Sequence, residues 1–271
     1  MSEDRSAAEA WWATEIIDMQ PGVIRLRGYA VEELIGRVSF PAMIWLMLRG
    51  ELPSDAEAEL LGTALAAGVD HGPQAPSIAI ARMAATCGVG INNAMASAAN
   101  VLGDVHGGAG EQCVELMQAI AARLDAARLD AASLDDGAVM AEAVAAERAA
   151  LAARGVSYVP GFGHRFHPVD PRAPRLLEIV DANVAAGIVG GRFAAIARAL
   201  EAAIAADKGR RVPMNIDGAT AVIYAELGFP PPLCRGLFVL SRSVGALAHA
   251  FEQSQQGGRN KGPLPKDHLW R

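Results

Sequence analysis

Three short glycine-bearing segments of this 271-residue chain carry side chains suited to acid–base chemistry, and they are centred on His106, His164 and Asp217. Imidazole and carboxylate groups are common general acids and bases, and neighbouring glycines let a ligand approach the backbone closely. Arg172 follows the second segment and supplies a permanent cation that can pair with a carboxylate through two hydrogen bonds. The ordered set predicts an acid–base enzyme that handles an anionic substrate.

Each of these candidates, and the further candidate His71, also has a structural interpretation when it is taken alone. His71 follows an acidic residue at a helix end, where an imidazolium would complement the helix dipole. His106 and His164 could be structural or surface groups, and Asp217 could be an ordinary turn or N-cap residue. His167 stands three residues after His164, but without a third ligand at a clear spacing no metal site is predicted.

The glycines around His106 do not form a nucleotide-binding motif. The run from Gly107 to Gly110 resembles a phosphate-binding loop only superficially, because neither GxGxxG nor GxxxxGK[ST] follows a strand. No nucleotide cofactor is therefore predicted. The glycines instead predict that the His106 ring lies at a helix start, where the positive end of the helix favours a neutral ring and a bound anion.

The elements that must position these residues are helices joined by glycine and proline turns. Hydrophobic residues make up 52% of the chain and aromatic residues 5%, which favours helices packed through small side chains. A hairpin is predicted in residues 21–29, and Ser54 is the predicted N-cap of a helix reaching residue 67. The other predicted helices are 31–36, 40–48, one from 76, 91–102, 110–152 with a break at 135–137, 174–184, 193–207, 219–227 and 233–253. No repeat and no βαβ pattern is present, so the fold class is predicted to be all-α.

Composition excludes several classes of function. The net charge of −6 and the scattered basic residues argue against nucleic-acid binding. No uncharged run reaches the ~18 residues that a membrane span needs, so no membrane association is expected. Cys87, Cys113 and Cys234 are odd in number and widely spaced, which predicts no disulfide framework and a reducing compartment. With a polar, acidic N-terminus, a cytoplasmic location is expected.

A series of further motifs follows a recognisable order along the chain. The segments are 24–29 (IRLRGY), 33–36 (ELIG), 50–53 (GELP), 70–72 (DHG), 76–77 (PS), 106–109 (HGGA), 161–165 (GFGHR), 170–172 (DPR), 215–217 (NID), 242–245 (RSVG), His249 and 252–253 (EQ). Together they resemble the citrate synthase family. The chain is particularly similar to its citryl-CoA lyase branch, which includes the C-terminal module of ATP-citrate lyase.

This resemblance implies a two-domain helical fold and an assembly. The large domain would consist of residues 1–106 and 218–271. Residues 107–217 would form a smaller mobile domain that carries the catalytic histidine and aspartate and closes over the ligands. A homodimer or higher homo-oligomer is expected. The apolar helix at 40–48 and the alanine-rich segments separately favour dimerisation.

The resemblance also implies a reaction and a set of roles. An acyl-CoA such as acetyl-CoA would be joined to the 2-oxo acid oxaloacetate, or a citrate-like thioester would be cleaved in reverse. Asp217 would remove a proton from the thioester methyl group, His106 would hydrogen-bond the thioester oxygen, and His164 would polarise the ketone. The implied carboxylate-binding residues are His71, Arg172, Arg242 and Arg259. Arg259, with Lys261 as the alternative, would reach the neighbouring site. The implied coenzyme A contacts are Pro160, Gly161, Phe162, Gly163 and Arg165. Coenzyme A enters as a thioester substrate, and no metal is implied.

Two alternatives to this function remain open on the sequence. One is a related synthase or lyase for a different acyl-CoA, of the methylcitrate type. The other is a catalytically silent relative that binds CoA esters or tricarboxylates. The chain departs from long citrate synthases at His167-Pro168, where the interval before Arg172 is one residue shorter, and in its shorter C-terminal tail. Arg242 could be a buried ion-pair partner, and His249 is interpreted as a packing residue.

Overall fold

The structure, a computed structural model, describes residues 2–128, 137–262, 264, 265 and 268. The predicted break at 135–137 falls largely outside the described residues, which resume at Gly137. Contacts divide the chain into two compact units, Met1–Gly62 and Thr63–Arg271. The domain boundaries expected at residues 106 and 217 separate the expected mobile domain from the rest of the chain, and they stay a prediction.

The first unit combines short helices with a small antiparallel sheet. Its elements are α1 (Ser2–Trp12), β1 (Ile17–Gln20), β2 (Val23–Leu26), β3 (Tyr29–Ala30), α2 (Val31–Leu34) and α3 (Phe40–Arg49), followed by α4 (Asp55–Ala67), which continues into the second unit. The strands pair in the order β1-β2-β3, with Ile17 opposite Leu26 and Arg25 opposite Ala30. The hairpin predicted for residues 21–29 is confirmed.

Local capping explains where α3 and α4 begin and end. The Ser39 hydroxyl accepts a hydrogen bond from the backbone N–H of Ala42 at the start of α3, and Gly50 ends that helix at φ 87°. Before α4, the Ser54 hydroxyl accepts from the Glu57 N–H, and a Glu57 carboxylate oxygen accepts from the Ser54 N–H. This reciprocal capping box confirms Ser54 as the N-cap.

The second unit is a helical assembly arranged around the last helix. Its helices are α5 (Pro76–Thr86), α6 (Ile91–Asn100), α7 (Ala109–Arg128), α8 (Gly137–Ala153), α9 (Arg172–Ala185), α10 (Arg192–Lys208), α11 (Ile216–Glu226) and α12 (Pro231–Gln255). Helix α12 packs on α5, α6 and α7, while α11 packs on α7, α9 and α10. Small side chains on α5, α6 and α12, such as Ala81, Ala94 and Ala250, form one buried cluster and allow close packing.

The predicted all-α class is confirmed, and most helix boundaries fall within three residues of the prediction. One difference bears on the site. Helix α11 begins at Ile216 rather than near residue 219, because the Asn215 side chain caps it. Asp217 therefore lies in the first turn of a helix and not in a preceding loop. In the described part of the chain, every helix is too short or too polar to cross a membrane.

Candidate active site

A cavity of about 220 Å³ in the second unit brings together seven of the twelve site residues predicted from the sequence, and Arg172 is not among them. Its walls come from turns and helix starts that are far apart in the chain. The lining residues are His71, Val105, His106, Gly107, Ala109, Gly163, His164, Arg165, Asn215, Ile216, Asp217, Phe238 and Arg242. The three predicted acid–base residues thus line a single cavity.

Asp217 is positioned by the start of α11. The Asn215 side-chain oxygen accepts from the backbone N–H groups of Asp217 and Gly218, at 3.0 and 3.2 Å. Burial raises the pKa of the Asp217 carboxyl, although the positive charges of Arg242 and Arg172 act in the opposite direction. A raised pKa makes the carboxylate a stronger base in its ionised form, which suits proton removal.

His106 is held in one tautomer by a contact across 29 residues of sequence. The backbone N–H of Ser77 donates to His106 Nε2 over 3.1 Å, and the Ser77 hydroxyl lies 3.0 Å from the same atom. Because a backbone N–H can only donate, Nε2 accepts, and in the neutral ring the proton is on Nδ1. Burial, and then the charge of Arg242, lower the pKa of His106. The ring is a neutral donor, as the sequence predicted.

The helix start that holds His106 is that of α5, since Ser77 is the second residue of that helix. The helix that follows His106 in the chain, α7, does not supply this contact. Gly107 adopts φ 102°, and a Cβ atom there would lie within 3.2 Å of both Leu102 and Phe238. The loop therefore requires glycine at this position.

His164 shows the opposite tautomer. Its Nδ1 accepts from the backbone N–H groups of Phe166 and His167, both at 3.1 Å, so the neutral ring carries its proton on Nε2. This Nε2 is buried and has no hydrogen-bond partner among the described residues. Burial lowers the pKa of His164, opposed by Asp170 and assisted by His167 and Arg172. A buried unpaired donor at a cavity is suited to bind a substrate oxygen.

His71 lies beside His164, with 5.2 Å between the ring centroids. Burial, followed by the charges of Arg172 and Arg242, lowers the pKa of His71 to about 4. The ring is neutral near pH 7. The interpretation of His71 as an imidazolium that complements a helix dipole therefore does not fit this environment.

The two arginines differ in how they are held. Arg242 on α12 is only 4% exposed, its Nε donates to the Gly68 carbonyl over 3.2 Å, and its guanidinium carbon lies 4.8 Å from the Phe238 ring centre. Arg172 begins α9 and binds the Asp170 carboxylate through Nε and Nη2, both at 2.9 Å. The sequence indicated Arg172 but assigned no role to Asp170, which was visible only as the first residue of the Asp-Pro-Arg triplet.

The segment from Pro160 to Gly163 lies against the start of α11. The Gly161 carbonyl accepts from the Asn215 N–H at 3.0 Å, and the Asn215 side-chain amide donates to the Gly163 carbonyl at 2.6 Å. A Cβ atom on Gly161 would lie 2.8 Å from the Gly218 Cα, and its φ is +85°. Close packing against α11 thus explains Gly161, where the sequence suggested close approach of a ligand.

A second cavity of about 360 Å³ adjoins this segment at Phe162. It is lined by three basic residues, Arg148, Lys208 and Arg210, together with Asp207. A wider cleft of about 860 Å³ between α7 and α8 includes Pro160 in its wall. The sequence did not single out these basic residues, since Arg148 lies on α8 whereas Lys208 and Arg210 lie at and just after the end of α10.

The remaining predicted residues contribute less to the cavity. Arg165 is exposed and lines it, whereas Arg259 is exposed and does not line it. The rings of His164 and His167 lie 4.6 Å apart, but no group of three or more His, Cys, Asp or Glu residues in the described ranges could hold a metal ion. His249 Nε2 lies 3.3 Å from Asp70 Oδ1, at ion-pair distance but without hydrogen-bond geometry.

The family model described as "Citrate synthase, C-terminal domain" matches residues 5–68 and 53–266. The chain belongs to the citrate synthase family. It is 27% identical over 208 residues to citrate synthase 2 of Bacillus subtilis, covering 76% of this chain and 50% of that protein. It is 30% identical over 210 residues to the citrate synthase of Haloferax volcanii, covering 76% and 49%. This family member thus spans about half the length of the curated relatives that it matches.

Solved structures of similar fold are also known. The citryl-CoA lyase of Hydrogenobacter thermophilus superposes with a TM-score of 0.78 at 28% identity, covering 96% of this chain and 94% of that one. The ATP citrate lyase of Methanothrix soehngenii, solved with citrate and coenzyme A, gives a TM-score of 0.77 at 19% identity over 99% of this chain and 44% of that one. The second likeness shows a shared fold, and the first extends over nearly the whole of both chains.

Proposed function

We propose that this family member makes or cleaves the carbon–carbon bond between the acetyl group of acetyl-CoA and oxaloacetate, as a citrate synthase or citryl-CoA lyase does. The observation that carries the proposal is the joint placement of Asp217, His106 and His164 around one cavity. A base and two neutral donors of fixed tautomer are the groups that such a reaction needs.

In the first step, Asp217 removes a proton from the methyl carbon of the thioester, and the electron pair moves onto the thioester oxygen as an enolate. His106 donates its Nδ1 proton as a hydrogen bond to that oxygen. A carboxylate is a weak base for a carbon acid, so stabilisation of the enolate in a water-poor cavity is essential. The pKa of Asp217, raised by burial, assists the same step.

In the second step, the enolate carbon attacks the ketone carbon of oxaloacetate. His164 donates from Nε2 to the ketone oxygen as negative charge develops there, and the product is a tertiary alcohol that is still a thioester. For a synthase, water would then have to hydrolyse this thioester to the acid and the free thiol, whereas a lyase starts from the thioester. In the reverse direction that alcohol loses its proton, the same carbon–carbon bond breaks, and Asp217 returns a proton to the acetyl carbon. The carboxylates of the acid would be bound by His71, Arg172 and Arg242, with Arg259 proposed to act in a neighbouring subunit.

Coenzyme A would lie along the segment from Pro160 to Gly163, with Arg165 near its reactive end. The adjoining cavity at Phe162 supports this arrangement, because Lys208 and Arg210 supply positive charge for the phosphate groups of the coenzyme, beside Arg148, which is paired with Asp207. We further propose that residues 107–217 close over the bound substrates. Closure would exclude water from the enolate.

We also propose that the enzyme is a homodimer or a higher homo-oligomer. An exposed apolar stripe on α12 supports this, formed by Leu240, Val244, Leu247 and Phe251 at helical spacing. By contrast, Ile44, Trp45 and Leu46 of α3 are buried, so that helix offers less free apolar surface than the sequence suggested. The proposal includes a cytoplasmic location, in keeping with three cysteines that are all free thiols.

The decisive experiment measures release of free thiol from acetyl-CoA plus oxaloacetate, in parallel with cleavage of synthetic citryl-CoA. Asp217→Asn should reduce turnover by about 10²–10⁴-fold in whichever direction the wild type is active. Asp181→Asn is a matched control, since Asp181 pairs with Arg198 at 2.7 Å on an exposed surface. Inactivity of the wild type in both assays would overturn the acetyl-CoA assignment and direct the search to other acyl-CoA substrates.

A further inference from the structure

Asp170 is a buried carboxylate with an unusually complete set of donors. It is 1% exposed and precedes α9 by two residues. Its Oδ1 accepts from the Arg172 backbone N–H at 3.1 Å and from Arg172 Nε at 2.9 Å, and its Oδ2 accepts from Arg172 Nη2 at 2.9 Å. The side chain of Arg172 is therefore clamped on its Nε edge, which leaves the Nη1–Nη2 end for another carboxylate.

The fourth donor to Asp170 comes from a different part of the chain. The backbone N–H of Ile216 donates to Oδ2 at 3.0 Å, across 46 residues of sequence. Ile216 is the first residue of α11 and the immediate neighbour of Asp217. Since Asn215 accepts from the next two N–H groups, two side chains satisfy the first three donors of this helix.

A single carboxylate thus joins the arginine proposed to bind substrate to the helix turn that carries the base. Removing one partner of such a buried ion pair leaves an uncompensated charge, so we expect substitution of Asp170 alone to be costly. All four partners of Asp170 are donors. An amide in its place would present its own N–H₂ group to at least one of them.

We propose that Asp170 is a positioning residue that fixes Arg172 for the carboxylate of the second substrate and fixes Asp217 relative to it. This inference rests on the function proposed above. Asp170 has no place in the cavity wall and acts through Arg172 and the start of α11.

The charge of Asp170 has a second consequence at the base. Asp170 acts on Asp217 as a like charge that raises its pKa, in opposition to Arg242 and Arg172. Neutralising Asp170 should therefore lower the pKa of Asp217. Its carboxylate would become a weaker base, and the acid limb of the pH–rate profile would move to lower pH. This shift follows from the lost charge, whereas a raised KM without loss of the fold reports the lost positioning of Arg172.

The test compares wild type, Asp170→Asn and the control Asp181→Asn, all checked by thermal melting. We expect Asp170→Asn to raise the KM for oxaloacetate, or for citryl-CoA if the wild type only cleaves, by roughly tenfold to a hundredfold, the scale of a lost hydrogen bond to a charged group. We also expect a lower kcat and an acid limb shifted to lower pH. Asp181→Asn should match the wild type in all three measurements.

Asp170→Glu supplies a second variant if the amide does not fold. It keeps the charge but lengthens the side chain, so we expect a raised KM with the acid limb unmoved. An unchanged KM in either folded variant of an active enzyme would overturn the positioning role alone. An inactive wild type would instead overturn the proposed function, and this inference with it.

Discussion

The backbone N–H of Ser77 donates to Nε2 of His106 over 3.1 Å, and this contact decides which nitrogen of the ring carries a proton. We expect His106→Ala to lower kcat by about 10²–10³-fold, the scale of one lost oxyanion donor. Ser77→Ala keeps the backbone N–H and should retain most of the activity. Steady-state kinetics of both variants would check this. Equal losses of kcat would show that the Ser77 hydroxyl, rather than the backbone N–H, fixes the tautomer of His106.

Gly245 on α12 allows the turn that carries His71 to lie against the helix. A Cβ atom at this position would be 2.3 Å from the Val69 carbonyl oxygen and 2.9 Å from Asp70 Oδ1. Gly245→Ala should therefore displace the turn, lower the free energy of unfolding by about 1–3 kcal/mol as overpacking does, and raise the KM for the acid substrate.

Gly236→Ala, on the same helix, is the matched control for that experiment, since a Cβ atom there would meet nothing within 4 Å. It should be neutral or stabilising by up to about 1 kcal/mol, because alanine is the better helix former. Urea unfolding of both variants gives the comparison. Equal stability of the two would show that the Val69–Asp70 turn adjusts freely.

His71 predicts a dependence of stability on pH. Its pKa of about 4 in the folded chain lies below the ordinary value of 6.5, so between these pH values the unfolded chain binds a proton that the folded chain does not. The free energy of unfolding should therefore fall as the pH falls through this window. For one proton the slope is at most about 1.4 kcal/mol per pH unit.

His71→Asn should remove the contribution of this one histidine to the slope of unfolding free energy against pH. The measurement is urea unfolding at several pH values between 4 and 7. His106 and His164 also have lowered pKa values and add to this slope, whereas Asp217, whose pKa is raised, acts in the opposite direction. The control is His268→Asn, which makes the same exchange at an exposed histidine. A slope that is identical in wild type and His71→Asn would contradict the neutral state of His71.

The apolar stripe on α12 predicts how the chain associates. Val244 is 55% exposed in the middle of the stripe, and a buried unpaired charge in an apolar interface is costly. Val244→Glu should shift the assembly toward monomers in sedimentation velocity. Ala122→Glu, on an exposed side of α7, should sediment as the wild type does. Unchanged assembly of Val244→Glu would place the interface elsewhere.

Local patterns in the sequence were sufficient to predict the class of fold, the family and the candidate reactive groups. Periodic apolar residues with capping signals such as Ser54 fix helices locally, because capping and helix propensity act over a few residues. The order of His106, His164 and Asp217 among glycine-bearing motifs was sufficient to indicate the family, and their common cavity accords with the roles predicted for them.

How those groups are held depends on contacts that exist only in the folded chain. The partners of His106 and Asp170 lie 29 and 46 residues away, and no local pattern encodes a contact between such distant segments. The same holds for the neutral state of His71, which depends on burial and on two arginines from separate helices. The tautomers, the pKa shifts and the proposed link between Arg172 and Asp217 all depend on distances between groups that only folding brings close together.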